Sequence, residues 1–248
     1  MLTNLKDKNI IITGGTSGLG LSVSKHFESK NNVLIVGNKN YSKVKKSKEV
    51  INSKIYKTDL TNYAQTEKIF KKIKLRSNKI DLIVCFAGIS KPVKFKNIGP
   101  SHWLNSFKAN FLTATNTIES FDKIFKKKKT KIILISTICA QDKMNCSIPY
   151  SVSKAALNFY CKNISKEYSQ KGIFINAVSL GNIYSKKGLW DKKLRLNRSK
   201  VINSIKKNVP LKRFGKINEL INIIEYLASD KSDFHLGSNI IMDGGQTL

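Results

Sequence analysis

"NIIITGGTSGLG", residues 9–20, places a β-branched apolar run directly against a glycine-rich turn, and the stretch that follows, "LSVSKHF" (21–27), has amphipathic helical spacing. Ile10, Ile11 and Ile12 suit a strand buried on both faces. Gly14, Gly18 and Gly20 permit a tight turn and let the backbone approach a pyrophosphate, whose charge is met by the amides of a helix N-terminus. A glycine-rich loop alone is weak evidence, but a strand before it and a helix after it are the context a dinucleotide-binding loop requires. The spacing is TGxxxGxG, unlike the GxGxxG of most two-domain dehydrogenases.

Working outward, the same alternation continues. Short β-branched runs at 32–37 (NVLIVG), 80–88 (IDLIVCFAG), 131–136 (KIILIS), 173–179 (IFINAVS) and 239–243 (NIIMD), with a weaker one at 53–57 (SKIYK), are separated by longer segments of helical periodicity. Strands alternating with helices specify a parallel sheet covered on both faces. The expected fold is therefore α/β, a Rossmann-like doubly wound sheet of about seven strands. A length of 248 residues suits one such domain, and no linker or repeat interrupts it. The lysine tract 126–129 reads as a solvated helix end, where cations suit the dipole.

The net charge of +29 suggests nucleic acid at first sight. Only four of the 45 basic residues are arginines (Arg76, Arg195, Arg198 and Arg213), and the lysines are scattered over nearly every polar segment. A nucleic-acid binder concentrates charge on one face and favours arginine for bidentate contacts, so no nucleic-acid partner is expected. Asn, Ile and Lys are abundant throughout, as an AT-rich coding sequence would produce. Cys85, Cys139, Cys146 and Cys161 show neither CxxC spacing nor histidine neighbours, so neither a zinc site nor a disulfide framework is indicated. No apolar stretch reaches membrane-span length, and Lys6, Asp7 and Lys8 break any N-terminal apolar run. A soluble, unprocessed cytoplasmic protein with no membrane partner and no metal is expected.

In "IPYSVSKAAL", residues 148–157, Tyr150 and Lys154 stand four apart. On a helix they share a face, and a neighbouring ammonium is one of the few things that lowers a phenol from its ordinary pKa of ~10. Tyr/Lys pairs at this spacing also arise by chance, so the rest of the chain decides their meaning.

The whole set of motifs resembles the short-chain dehydrogenase/reductase family over nearly the full chain. The pieces stand in the family's order: "TGGTSGLG", Asp59 in "TDL", "FAG" at 86–88, Asn110 in "KANFL", "LIST" at 134–137, "YSVSK" at 150–154, "SLGNIYS" at 179–185 and "VPLKRFG" at 209–215. The resemblance implies that Tyr150 is the catalytic acid/base, with Lys154 holding the nicotinamide ribose and depressing the Tyr150 pKa. Thr137, thirteen residues before Tyr150, stands where the family usually has a substrate-binding serine; Ser136 would serve if the register shifted. Asn110 matches the asparagine that links the lysine to a relay water. Cofactor contacts are implied at Gly14, Thr16, Ser17, Gly18, Leu19, Gly20, Asn38, Lys39, Asp59, Leu60, Ala87, Gly88, Gly181 and Ile183, besides Tyr150 and Lys154.

The three-residue gap between Tyr150 and Lys154 favours ketoreductases and alcohol dehydrogenases over enoyl reductases, which space the pair more widely. Enzymes selective for NAD usually carry an acid at the end of the second strand; "GNKN" (37–40) has none, so NADP(H) is expected over NAD(H), with Asn38 and Lys39 near the 2′-phosphate. Two departures stand out: "NNAG" is "CFAG" here, and the "PG" after the sixth strand is Leu180–Gly181.

The function expected is NADP-dependent hydride transfer to a carbonyl, most like a 3-oxoacyl thioester ketoreductase. A sugar or small-alcohol dehydrogenase is one alternative; a catalytically silent dinucleotide-binding regulator, suggested by the two departures, is another. In the family the segment 183–208 forms a substrate lid, and here nine of its 26 residues are Lys or Arg. Arg195 and Arg198, with Trp190 beside them, suit a substrate with an anionic carrier: acyl carrier protein, coenzyme A or a nucleotide. A homotetramer is the assembly the resemblance implies.

Overall fold

The apolar runs become seven parallel strands: β1 (Asn9–Thr13), β2 (Asn32–Gly37), β3 (Lys54–Lys57), β4 (Leu82–Cys85), β5 (Thr130–Thr137), β6 (Ile173–Leu180) and β7 (Asn239–Met242). The computed structural model describes residues 5–38, 40–47, 50, 52–126 and 129–248. Lys39 and two residues of the lysine tract 126–129 lie outside the described residues. The sheet order is β3-β2-β1-β4-β5-β6-β7. The chain reverses its direction of growth between β1 and β4, and the crevice above that switch point is where open α/β sheets place ligands.

Strand periodicity divides the core in two. Ile11, Ile132 and Leu134 point to one face, where helices α3 (Tyr63–Lys74), α5 (Thr113–Ile124) and α6 (Ile148–Gln170) cover them with Phe70, Phe121 and Leu157. Ile10, Ile12, Ile133 and Ile135 point to the other, under Phe27 of α1 (Gly18–Phe27) and Leu220 and Ile224 of α9 (Ile217–Ala228). A short helix α2 (Tyr41–Ser47) follows β2, and α4 (Pro100–Phe107) precedes α5. Burial on both faces explains why β1, β4 and β5 are continuous apolar runs rather than alternating ones.

The run expected to be a strand over 80–88 pairs only from Leu82 to Cys85. Its last residues, Phe86 to Gly88, leave the ladder, although Phe86 N still donates to Thr13 O at 3.0 Å. Between α4 and α5 the backbone widens into one π-helical turn, Lys108–Leu112, a local irregularity found often at functional sites. The segment 183–208 is two helices, α7 (Leu189–Leu196) and α8 (Arg198–Asn208), broken at Asn197, whose side chain caps α8 by accepting from Lys200 N at 2.9 Å.

Phe121 is fully buried and stacked on Phe125 at 4.9 Å. Phe121→Ala is expected to destabilise the fold by about 3–5 kcal/mol, measured as a lower urea midpoint at unchanged slope.

Candidate active site

The turn after β1 is built to bring backbones together. Gly14 adopts φ +69, and a Cβ there would lie 2.7 Å from Ala87 N, inside the segment that has just left β4. A side chain at 14 would therefore push the two loops apart. Gly18, at φ +53, has open space where its side chain would be. Ser17 caps α1 without a side-chain hydrogen bond, and the first turn holds no acid. Free helix N-terminal amides beside a glycine cradle form an anion site, so these residues fit a dinucleotide pyrophosphate. Leu19 and Gly20 lie within the same turn of α1.

At the end of β2, a Cβ at Gly37 would meet Thr16 Oγ1 at 2.7 Å, so the Thr16 side chain closes over the end of the strand. Asn38 is exposed beside it. Asp59 accepts from Thr61 N and Thr61 Oγ1 at 3.0 and 2.9 Å, and the Leu60 carbonyl accepts from Asn116 Nδ2 at 2.8 Å, which ties the loop after β3 to α5. Gly181 N donates to Met242 O at 2.9 Å, and Ile183 is buried and bridged to Gly215.

Tyr150 and Lys154 lie one turn apart at the start of α6. Lys154 is buried, and its Nζ donates to Ile135 O at 2.7 Å. β4 ends opposite Leu134 while β5 runs on to Thr137, so Ile135 lies one residue past the last β4 pair. Asn110, on the π turn, is held from both sides: Nδ2 donates to Ile89 O and Ser106 O at 3.0 Å each, and Oδ1 accepts from Ile89 N at 2.8 Å. A Cβ at Gly88 would come 2.8 Å from Asn110 Oδ1 and 3.6 Å from Lys154 Nζ, so the glycine leaves room for both. The Thr137 hydroxyl lies near enough to the Tyr150 phenol to oppose the rise in its pKa. Its Oγ1 also accepts from Cys139 N at 3.3 Å. Ser136, its strand neighbour, projects to the opposite face; its Oγ is buried without a partner.

The electrostatics differ from the expectation of a phenol lowered by Lys154. Burial pushes Tyr150 up to about 12, the Cys139 and Cys146 thiols adding to it and the Thr137 hydroxyl opposing it. The Lys154 ammonium donates to the Ile135 carbonyl, and the net shift of the phenol is upward. Burial in turn lowers Lys154 to about 8, with Cys85 opposing. The Tyr150 phenol is thus protonated at neutral pH.

In the segment 183–208, Trp190 packs on Phe214 at 5.3 Å and carries Lys193 Nζ over its ring at 4.4 Å. Asp191 is the organising residue: it accepts from Tyr184 OH at 2.9 Å, Lys187 N at 2.9 Å and Arg195 Nη2 at 3.0 Å, and these donors hold its carboxyl below the usual range. Arg195 is therefore engaged inside its own segment, and Arg198 opens α8 with an exposed side chain.

A family model described as enoyl-(acyl carrier protein) reductase matches residues 14–247. The chain belongs to the short-chain dehydrogenase/reductase family. It is an oxidoreductase of the type acting on CH–OH and C=O groups. Curated members of the family similar to it include 3-oxoacyl-(acyl-carrier-protein) reductase FabG of Buchnera aphidicola subsp. Acyrthosiphon pisum, 26% identical over 253 residues and covering 99% of each chain. Acetoacetyl-CoA reductase of Shinella zoogloeoides is 29% identical over 241 residues, covering 95% of this chain and 97% of that one. Among solved structures, L-sorbose reductase from Gluconobacter frateurii, complexed with NADPH and L-sorbose, superposes with a TM-score of 0.86 at 21% identity, covering 99% of this chain and 98% of that one. A 4-hydroxyisoleucine dehydrogenase complexed with NADH gives 0.86 at 25%, covering 97% and 99%. Among the described residues no helix is long and apolar enough to cross a membrane, and no group of His, Cys, Asp and Glu could hold a metal.

Sequence reasoning missed the Ile135 carbonyl, because a backbone acceptor leaves no trace in side-chain pattern. It also missed Cys139 and Cys146 beside Tyr150. Ser106, four residues before Asn110, was accessible through helical spacing alone.

The lowered Lys154 value makes a stability prediction. The folded pKa of about 8 lies below the ordinary 10.5, so this group detracts from stability below pH 8, and stability recovers as pH rises from 8 to 10.5. Lys154→Met is accordingly expected to raise stability at pH 7 by about 2 kcal/mol, from ~1.4 kcal/mol per pKa unit less a lost hydrogen bond. Thermal unfolding at pH 7 and pH 10 checks this, with the difference between the proteins shrinking at the higher pH.

Proposed function

We propose that the chain reduces the ketone of a 3-oxoacyl thioester with NADPH. The observation that carries this reading is the convergence of the Thr137 hydroxyl and the Tyr150 phenol at the mouth of the site, with Lys154 and Asn110 behind them. NADPH, when bound, supplies the hydride. Thr137 donates to the substrate carbonyl oxygen and Tyr150 gives it a proton as alkoxide charge develops, a contribution typically worth ~10² to 10⁴ in rate. A phenol held near 12 suits this direction, since it stays protonated at working pH. Lys154 as ammonium binds the nicotinamide ribose, and Asn110 fixes the relay beside it.

The glycines and amides of residues 14–20 would hold the pyrophosphate, Asp59 and Leu60 the adenine side, Ala87 and Gly88 the ribose, and Gly181 and Ile183 the nicotinamide end. The absence of an acid at Gly37–Asn38 supports NADP(H); Lys39, named with Asn38 for the 2′-phosphate, lies outside the described residues. The thioester class is supported by relatives named for acyl-carrier-protein and CoA thioesters. Segment 183–208 acts as the lid of a single domain, with Trp190 and Arg198 facing the anionic carrier and Arg195 bracing the lid through Asp191. A sugar dehydrogenase is the second reading, supported by the L-sorbose reductase likeness in fold.

The test is consumption of NADPH and of NADH against acetoacetyl thioesters, keto sugars, simple ketones and a trans-2-enoyl thioester. Preferred turnover of the 3-oxoacyl thioester with NADPH is expected; preference for the sugar or the enoyl substrate would replace the reading. Tyr150→Phe should lower that turnover by ~10² to 10⁴ while NADPH affinity, read by fluorescence, changes little. Turnover of the native chain should decline above about pH 8, where Lys154 releases its proton.

The assembly proposed is a homotetramer. Support comes from apolar side chains left in solvent on α4 and α6 (Trp103, Leu104, Val152, Phe159) and near the C-terminal strand (Phe234, Leu236, Ile241). Light scattering at micromolar concentration should return four times the 27.9 kDa chain mass; a monomer would refute it.

A further inference from the structure

Residues 243–248 lie against the active site, and the proposed reaction assigns them no part. β7 ends at Met242, whose carbonyl accepts from Gly181 N at 2.9 Å, and a Cβ on Gly181 would lie 2.7 Å from Asp243 Cα. The Asp243 carboxylate folds the segment into a compact turn. Its Oδ1 accepts from Gly245 N at 2.8 Å, and its Oδ2 accepts from Thr247 N and Thr247 Oγ1 at 2.8 Å each. Gly244 and Gly245 take φ +69 and +85, the left-handed backbone this turn requires. The turn also rests on the segment after α8, where Leu211 N donates to Gly244 O at 3.3 Å.

Gln246 projects from this turn between two loops. Its Oε1 accepts from Asn182 Nδ2 at 2.7 Å, and its Nε2 reaches Met144 Sδ at 3.8 Å. Asn182 stands between Gly181 and Ile183, the pair assigned to the nicotinamide end, and its carbonyl accepts from Gly215 N at 3.0 Å. Met144 lies in the connection between Thr137 and Tyr150. Its carbonyl accepts from Cys146 N at 2.8 Å, and the next residue, Ser147, caps α6 and accepts from Ser151 N at 3.0 Å on the turn that carries Tyr150. One half-buried amide thus touches the loop of the nicotinamide end and the loop that leads into the phenol.

We propose that Gln246 is a positioning residue of the active site, a clamp that sets the spacing between the loop after β5 and the loop after β6. The inference rests on the reading of Tyr150 as proton donor and of Gly181 and Ile183 as nicotinamide contacts. In that reading hydride and proton reach one carbonyl group from these two loops, and a misplacement of ~1 Å can cost ~10²-fold in rate. The two contacts of the clamp are unequal. The bond to Asn182 is short, whereas a thioether is a weak acceptor, so Gln246 acts chiefly through Asn182. A primary amide suits both tasks, since it offers an oxygen to Asn182 and an N–H to Met144. Glutamate keeps the first and loses the second.

The test replaces Gln246 in the full chain with Ala and with Glu. Each protein is read by hydrogen exchange of peptides spanning 141–147 and 181–185, by its thermal midpoint, by NADPH affinity, and by steady-state carbonyl turnover. In Gln246→Ala, faster exchange confined to those two segments is expected, with the midpoint and NADPH affinity little changed and kcat lowered about tenfold. Gln246→Glu should keep the protection of 181–185 and most of the turnover. Asn182→Ala should reproduce the loss, and the double variant Asn182→Ala/Gln246→Ala should be no worse than either alone. Unchanged exchange in both segments, an unchanged kcat in an active protein, or independent losses in the double variant overturns the proposal. So does a loss that comes with a lowered midpoint and faster exchange across the whole sheet, which marks a merely structural role. The two readings fail separately: a native chain inactive on every carbonyl refutes the ketoreductase assignment, whereas the exchange map reports the clamp whether or not the chain turns over.

Discussion

The hydrogen bond from Lys154 Nζ to the Ile135 carbonyl, 2.7 Å long in a buried setting, is the contact on which the arrangement of the site depends. A lone ammonium in a protein interior is strongly disfavoured unless something accepts its protons. The sheet provides the acceptor by being uneven: β4 stops opposite Leu134, and β5 continues three residues further alongside β6 alone. The same early end of β4 releases Phe86 to Gly88 from the ladder. That lets Gly14 approach the backbone at Ala87 and lets Gly88 make room for Asn110 and Lys154. One short strand thus generates both the cofactor-side crevice and the seat of the lysine.

Much of this was readable in the chain. The identity of the strands followed from β-branched runs, because burial on both faces removes the ambiguity that polar alternation leaves in exposed sheets; their order in the sheet did not. The Tyr150/Lys154 pair was legible as a helical i, i+4 spacing, and Asn110 through the family motif. What could not be read was anything carried by main-chain geometry: where β4 ends, that "KANFL" is a π turn, or that Ile135 offers its carbonyl. The expected lowering of Tyr150 by Lys154 failed for that reason, since spacing puts two side chains on one face but does not say which acceptor the longer one finds.

The two sequence departures are accommodated by ordinary packing. Cys85 is enclosed with Ile83, Ile132 and Leu134 on one side of the sheet, Phe86 packs against the other side, and Leu180 is buried there too. The packing is filled, but the buried Thr13 Oγ1, on the strand partner of Cys85, is left without a hydrogen-bond partner, a cost that a polar neighbour would have relieved. The arginine clue in the segment 183–208 is weakened as well. Arg195 already has a carboxylate in Asp191, and that acid is shared with Tyr184 and the backbone of Lys187.

In a chain of such lysine content, charge alone distinguishes no residue, yet burial does. Among the described residues two lysines are buried, Lys131 and Lys154. Lys131 meets Asp233 at 2.6 Å and lies over the Phe174 ring, so its charge is answered by a carboxylate and it serves the fold at the end of β5 away from the glycine turn. Lys154 meets only a carbonyl, and its pKa falls to about 8. A buried ion satisfied by a full counter-charge is ordinary architecture. One left under-compensated, as Lys154 is behind Tyr150, keeps electrostatic interaction in reserve for an anion-bearing or hydroxyl-bearing ligand, and perturbed groups in that condition are candidates for functional sites.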